Sequence, residues 1–271
     1  MSCSVTIPSD SYVLCVDESG PKDLVSPHGD CLHAGGVLVA AADVNDVITA
    51  FQRLKLETFG EHVVFHAYPF FEGEQLVPGA PAWPDTAAHA FMSGVVEWLR
   101  HTLVTLVGVR VEKRRWLDQH PDVVERLAQA AGLPLAEARD VVAALKDRTF
   151  ARSVGKGVAK IVQHYGYFAA IQAAAQLACR TIDRNGVAPT SECLVVADEI
   201  EPGLCDTHRR SLKGMTGEWL RSLKRSHRRA FARVVRPPTF LPDEELELLQ
   251  LADLVAFLVG DDFETQQHVD L

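Results

Sequence analysis

The sequence predicts an α/β fold, a mixed sheet flanked by helices and carrying a helical insertion. Three observations predict it. Short apolar runs rich in strand formers alternate with helix-length amphipathic stretches. Two of those runs follow each other early with no helix between them, as an antiparallel pair does. Gln163–Asp183 is long, rich in alanine and apolar nearly all round, so it reads as a buried helix. At 271 residues and 29.7 kDa the chain reads as one domain over 1–271, with the insertion at 112–160.

The elements follow in order. Residues 1–11 read as a loose start. Tyr12–Val16, YVLCV, is a strand buried on both faces that ends in Asp17, Glu18, Ser19 and Gly20. Leu32–Ala41 is a second strand, with Gly35 and Gly36 marking a bulge. Asp43 is placed to cap a helix whose apolar side holds Val44, Val47, Ile48, Phe51 and Leu54. Val63–Ala67 is a short strand, Tyr68–Pro84 a loop, Asp85–His101 an amphipathic helix and Leu103–Val111 a strand. Pro121–Ala131 and Leu135–Arg148 are two helices joined through Gly132, Leu133 and Pro134, with Gly closing one and Pro opening the next. After the alanine-rich helix, Cys193–Ala197 is a strand followed by Asp198 and Glu199. Asp206–Ser226 is a basic amphipathic helix, and Arg229–Arg236 a strand broken by two prolines. Asp243 caps a last helix that runs to Val259, with Glu244 and Glu245 in its first turn.

Composition narrows the class. Hydrophobic residues at 47% and charged residues at 23% suit a globular protein with a sizeable core. There is no signal-peptide pattern and no apolar run of about 18 residues, so the expected location is cytoplasmic. Six cysteines without a CxxC pair argue against a zinc ribbon or a disulfide framework. The net charge of −9 is uneven. Between His208 and Arg236 stand ten Lys or Arg and one acid, a local charge of +9, which leaves −18 on the rest. Such a patch on an acidic protein attracts an anion locally.

Acids meet apolar elements at three places. Asp17 follows YVLCV, Asp198 follows CLVVA, and Asp253 lies inside LELLQLADLVAFLV. From Leu246 to Val259 the polar residues are Glu247, Gln250 and Asp253. Either they form a solvated stripe, or Asp253 meets a cation or a basic side chain, because an unpaired buried carboxylate costs several kcal/mol. Three acids delivered by three buried elements are the donors that Mg²⁺ or Mn²⁺ takes. Two such ions would suit phosphodiester cleavage by a metal-activated water. Arg209, Arg210, Lys213, Arg221, Lys224, Arg225, Arg228 and Arg229 would hold the phosphate backbone of a nucleic acid beside that site.

These residues resemble a known family. Asp17–Gly20 (D-E-S-G), Gly35-Gly36, His66-Ala67, Asp198-Glu199 and Gln250–Ala256 (Q-L-A-D-L-V-A) follow the order of motifs of the DUF3800 family, which is similar to ribonuclease H-like nucleases. The resemblance spans most of the chain apart from the insertion. It implies a five-stranded mixed sheet with helices, and Asp17, Asp198 and Asp253 as ligands of Mg²⁺ or Mn²⁺. Members often carry a Glu just before the His-Ala. Here that place is Phe65, so Glu18 or Glu199 would complete the acidic set. His66 would orient a phosphate or a water; histidines at strand ends are also commonly structural.

Other motifs are weaker. Ser153–Gly157, SVGKG, lacks the spacing and the preceding strand of a phosphate loop. The histidines form no zinc spacing. The sequence thus points to a metal-dependent nuclease acting on DNA or RNA. Its rivals are a nucleic-acid-binding protein of weak activity, a hydrolase of small phosphate esters, and an interaction protein whose insertion contacts a protein partner.

Overall fold

The computed structural model describes residues 10–19, 31–60, 63–67, 85–119, 121–130, 133–146, 165–188, 190–198, 216–221 and 231–267. Strands β1 (Tyr12–Ser19), β2 (Cys31–Ala40), β3 (Val104–Glu112), β4 (Cys193–Asp198) and β5 (Thr239–Leu241) form one sheet in the order β3-β2-β1-β4-β5. β1 pairs antiparallel with β2 from Tyr12↔Ala40 to Ser19↔His33, and β2 pairs antiparallel with β3. β1 pairs parallel with β4 from Tyr12↔Cys193 to Val16↔Ala197, and β4 parallel with β5. The sheet is therefore mixed, with the predicted first strand at its centre.

The period of two sorts each strand between two cores. Leu14 and Val16 of β1 join Leu32, Ala34 and Val107 against α6 (Tyr165–Arg184). Val13 and Cys15 face the other way. They pack with Val37 and Val39 against α1 (Val44–Phe59), α2 (Asp85–His101) and α7 (Glu247–Gln267). Both faces of β1 are covered, which is why its run is apolar without alternation.

The region read as an insertion folds as α3 (Lys113–Gln119), α4 (Pro121–Ala130) and α5 (Leu135–Lys146). The sequence reading contained the last two. Trp116, Leu117, Val124, Ala128 and Ala138 are buried in the same core as α6, so these helices are packed onto the sheet layer rather than standing off it.

Several expectations are corrected. Gly35 and Gly36 mark no bulge, since the β1–β2 and β2–β3 registers run through them unbroken. Gly35 is there for close approach. A Cβ on it would lie 2.0 Å from the Ala256 backbone nitrogen of α7. Gly35→Ala is therefore expected to cost at least the roughly 1–3 kcal/mol of an overpacked core, read as a lower urea midpoint. Asp43 makes no side-chain cap bond to α1. Asp243 opens a 3₁₀ turn instead of capping α7, which starts at Glu247 and runs to Gln267, beyond Val259.

Val63–Ala67 belongs to no strand. No sheet neighbour serves its backbone, and side chains do so instead. Val63 O accepts from Lys55 Nζ at 2.8 Å, Phe65 N–H donates to Gln250 Oε1 at 2.9 Å, and Ala67 N–H donates to Asp253 Oδ2 at 2.7 Å. Residues 231–233 form a turn, and 234–236 no strand, where a strand over Arg229–Arg236 was expected. Arg233 points inward there. It is 6% exposed, pairs with Asp183 at 2.7 Å and donates to the carbonyls of Val187, Ala188 and Ser191. A pleated strand cannot aim one guanidinium at a loop that way. Of the predicted helix over Asp206–Ser226, the described part is helical over 216–221.

Cys15, Cys31, Cys179 and Cys193 are free thiols. Among the described residues, no helix is long and apolar enough to cross a membrane.

Candidate functional site

Three elements deliver acids to one end of the sheet, and strand parity decides where they point. Asp17 follows Val13 and Cys15 in the alternation of β1, so its side chain is on the α7 face. In β4, Cys193, Val195 and Ala197 pack toward α6, which leaves Asp198 on the α7 face. Val16 pairs with Ala197, so Asp17 and Asp198 are the next step of the same parallel register. Neighbouring strands lie about 4.8 Å apart, and the two carboxylates start side by side. Asp253 reaches the same end from α7, which crosses β2 at Gly35, the residue paired with Asp17.

Electrostatics agrees with that placement. Burial first, then the charges of Glu18, Asp253 and Asp198, push the Asp17 carboxyl well above the usual carboxylate range; the Glu18 N–H opposes this. Asp17 is 9% exposed, and its Oδ1 accepts that N–H at 2.7 Å. Burial pushes Asp253 up to about 6. The Ala67 N–H and His66 hold it down, while Asp243 and Glu18 add to the rise. Each of Asp17 and Asp253 thus has one oxygen fixed by a backbone N–H and a second that no described residue bonds.

Glu18 falls on the opposite parity, toward α6. Its charge acts there on Tyr167, whose hydroxyl donates to Val16 O at 3.1 Å and to Asp198 O at 3.5 Å. Tyr167 ties the ends of β1 and β4 together beneath the acids. Burial, then Glu18, Asp17 and Asp198, raise its phenol well above the ordinary value, so it stays a neutral donor.

His66 stands at the rim, with its side chain 45% exposed and its Nδ1 2.9 Å from Asp243 Oδ2. The Asp243 bond raises the His66 pKa against the opposing effect of burial. Burial works against the Asp243 carboxylate, but His66 and the Glu244 bonds hold its pKa below the usual value. The stripe of Glu247, Gln250 and Asp253 is not a solvated one. Lys55, 1% exposed, puts Nζ 2.5 Å from Glu247 Oε2 and 2.7 Å from Gln250 Oε1. Gln250 in turn holds Phe65 and donates to Asp243 O at 3.0 Å. The cation that the sequence reading offered to Asp253 is taken by its neighbours, one and two turns earlier.

The structure therefore places Asp17, Asp198 and Asp253 at one end of the sheet on the α7 side, with Glu18 on the opposite face and His66 at the edge. Glu199, Arg209, Arg210, Lys213, Lys224, Arg225, Arg228 and Arg229 lie outside the described residues. Arg221 is exposed, and its Nε donates to Glu218 at 2.8 Å. The sequence reading missed Tyr167, Asp243 as the partner of His66, and Lys55. A lysine in the stripe Val47, Phe51, Lys55, Phe59 was a usable signal for the last.

Carboxylates alone form this donor set, which suits a hard divalent cation in kind. Burial, and after it the neighbouring carboxylates, raise Asp17 and Asp253, and a bound cation would relieve the second of these. As placed, no three His, Cys, Asp or Glu side chains among the described residues are gathered closely enough to hold a metal ion. Comparisons of the chain with protein-family models, with curated proteins and with solved structures found no match.

Proposed function

We propose that the protein is a metal-dependent nuclease of ribonuclease H-like architecture, related to the DUF3800 family. The observation that carries this reading is the field on Asp17, whose carboxyl is raised by burial and by the charges of Glu18, Asp253 and Asp198, acids that come from three elements to one sheet end. Acids serving only the fold are normally paired with cations. The mixed five-stranded sheet flanked by helices is consistent with the architecture.

In this reading Asp17, Asp198 and Asp253 hold Mg²⁺ or Mn²⁺ with Glu199 assisting, while Glu18, on the other face of β1, contributes through its charge. A bound ion would supply charge neutralisation at a phosphodiester and an activated water at neutral pH. The chain's own residues do the rest. The Glu18 and Ala67 N–H groups fix one oxygen of Asp17 and of Asp253, so each carboxylate presents its other oxygen in a set direction. Tyr167 keeps the two strand ends in register. Asp243 orients His66, leaving Nε2 of its half-exposed ring to meet a phosphate or a water. DNA or RNA is the substrate, held by the basic segment 209–229.

A second reading has one observation in its favour. Phe65, where the resembled family often has an acid, is fully buried 4.9 Å from the Phe91 ring. A nucleic-acid-binding protein of weak activity would tolerate that loss. The test is cleavage of a mixed set of oligonucleotides with Mg²⁺ or Mn²⁺ by the wild type and Asp17→Asn. Metal-dependent cleavage that falls by about a hundredfold or more in the variant is expected, the size of losing a main electrostatic contact. Binding without cleavage would select the second reading.

A further inference from the structure

A second place in the molecule is built like a ligand site and is separate from the acids. A cavity of about 340 Å³ opens beside β3, between α3 and α6. Its volume sits at the low end of the about 300–1,000 Å³ typical of small-molecule pockets. The α6 side of its wall is Ala169, Gln172, Ala173 and Gln176, a single helix stripe at i, i+3, i+4 and i+7. Two alanines leave the room, and two glutamines face into it from the alanine-rich part of the helix that precedes Arg180. Gln172 is 9% exposed and forms no hydrogen bond with any described residue. Its amide atoms, unbonded by any described residue, stay reachable from the cavity and keep their donors and acceptor for a ligand.

Across the cavity, α3 contributes Arg115, Trp116 and Gln119. Arg115 is exposed and makes no ion pair with a described residue. Arg110, whose Nε donates to Cys31 at 3.1 Å, lies on the boundary with a second cavity of about 610 Å³ that also includes Arg114. The site therefore offers amides inside, an aromatic wall, and arginines at the mouth that outnumber the one carboxylate lining it, Glu112.

We infer that this cavity binds a nucleotide, with the edge of its base on Gln172 and Gln176 and its phosphate on Arg115 and Arg110. An amide both donates and accepts, so it pairs with the alternating donors and acceptors of a base edge, as glutamine does with adenine. Guanidinium groups suit a phosphate. The same chemistry arrives from two sources, a free mononucleotide or one nucleotide of a single strand. The site does not depend on the metal reading.

The experiment measures binding by calorimetry in EDTA, so that no metal contributes. The probes are AMP, GMP, CMP and UMP, a mixed single-stranded octanucleotide, ribose 5-phosphate and inorganic phosphate. The proteins are wild type, Gln172→Leu and Arg115→Ala. Saturable binding of at least one mononucleotide is expected, weakened about tenfold or more in each variant. Gln172→Leu is expected to keep the melting temperature without ligand, because the amide it removes makes no hydrogen bond with a described residue. Binding of the octanucleotide alone, with the same dependence on Gln172 and Arg115, also supports the site and assigns it to a strand. Ribose 5-phosphate or inorganic phosphate binding as tightly as the nucleotides overturns the proposal, and so does affinity unchanged in Arg115→Ala. A large fall in the melting temperature of Gln172→Leu, or no saturable binding by any probe, overturns it as well.

Discussion

Lys55→Met should destabilise the protein by about 3–5 kcal/mol, the usual result of removing one partner of a buried ion pair. Lys55 Nζ meets Glu247, Gln250 and the Val63 carbonyl at one point, and its side chain is almost wholly enclosed. Methionine fills similar space but leaves the Glu247 carboxylate without its cation, with Gln52 Nε2 at 3.2 Å as its remaining partner. The consequence extends beyond stability. Gln250 is the residue that holds Phe65, and Ala67, two residues on, holds Asp253. A loosened 63–67 segment therefore releases both His66 and the oxygen of Asp253 that Ala67 fixes. Urea unfolding of Lys55→Met measures the loss. The double variant Lys55→Met/Glu247→Leu should recover most of it, because no charge is then left unpaired. A single variant as stable as the wild type would mean that the network does not hold the segment.

Asp253→Asn should act with the opposite sign in metal-free protein. Asparagine keeps an oxygen for the Ala67 N–H and loses the charge. The Asp253 carboxyl rises from 3.8 to about 6 on folding. A raised acid means that the native state binds the proton more tightly than the unfolded chain does. The wild type is then favoured below about pH 4, and loses that advantage as pH rises through about 6. At ~1.4 kcal/mol per pH unit, the penalty at neutral pH is at most about 3 kcal/mol. The variant lacks it. In EDTA it should be more stable than the wild type at pH 7.5, with the difference disappearing toward pH 4. Urea unfolding at the two pH values reads this directly. A variant less stable at pH 7.5 would show that Asp253 is the charged half of a structural pair.

β1 was legible because both of its faces are buried, and a run such as YVLCV has few other uses. The three aspartates stood out for the complementary reason, as charges at the ends or in the middle of apolar elements. What could not be read was which backbone groups side chains would serve. Val63–Ala67 has the composition of a strand, yet its N–H groups are met by Gln250 and Asp253, almost 190 positions away. A bulge at Gly35-Gly36 was a local reading. The real demand on Gly35 comes from the backbone of α7, which no window around Gly35 contains. Lys55 was visible in principle, since it interrupts an i, i+4 ladder of apolar residues, but the helix had enough other apolar positions to look complete without it. Tyr167 lay hidden in an apolar helix, where nothing distinguishes a tyrosine that ties two strand ends from one that fills space.

The central claim is that Asp17, Asp198 and Asp253 are held together for a divalent cation. The most direct test is the melting temperature of wild type and Asp253→Asn, each in EDTA and in excess Mn²⁺. A ligand that binds only the native state adds about 2.7 kcal/mol at a hundred times its Kd. The account predicts a clear Mn²⁺-dependent rise for the wild type and a smaller one for the variant, from a higher starting point in EDTA. No Mn²⁺ shift in either protein, or an equal shift in both, would contradict it.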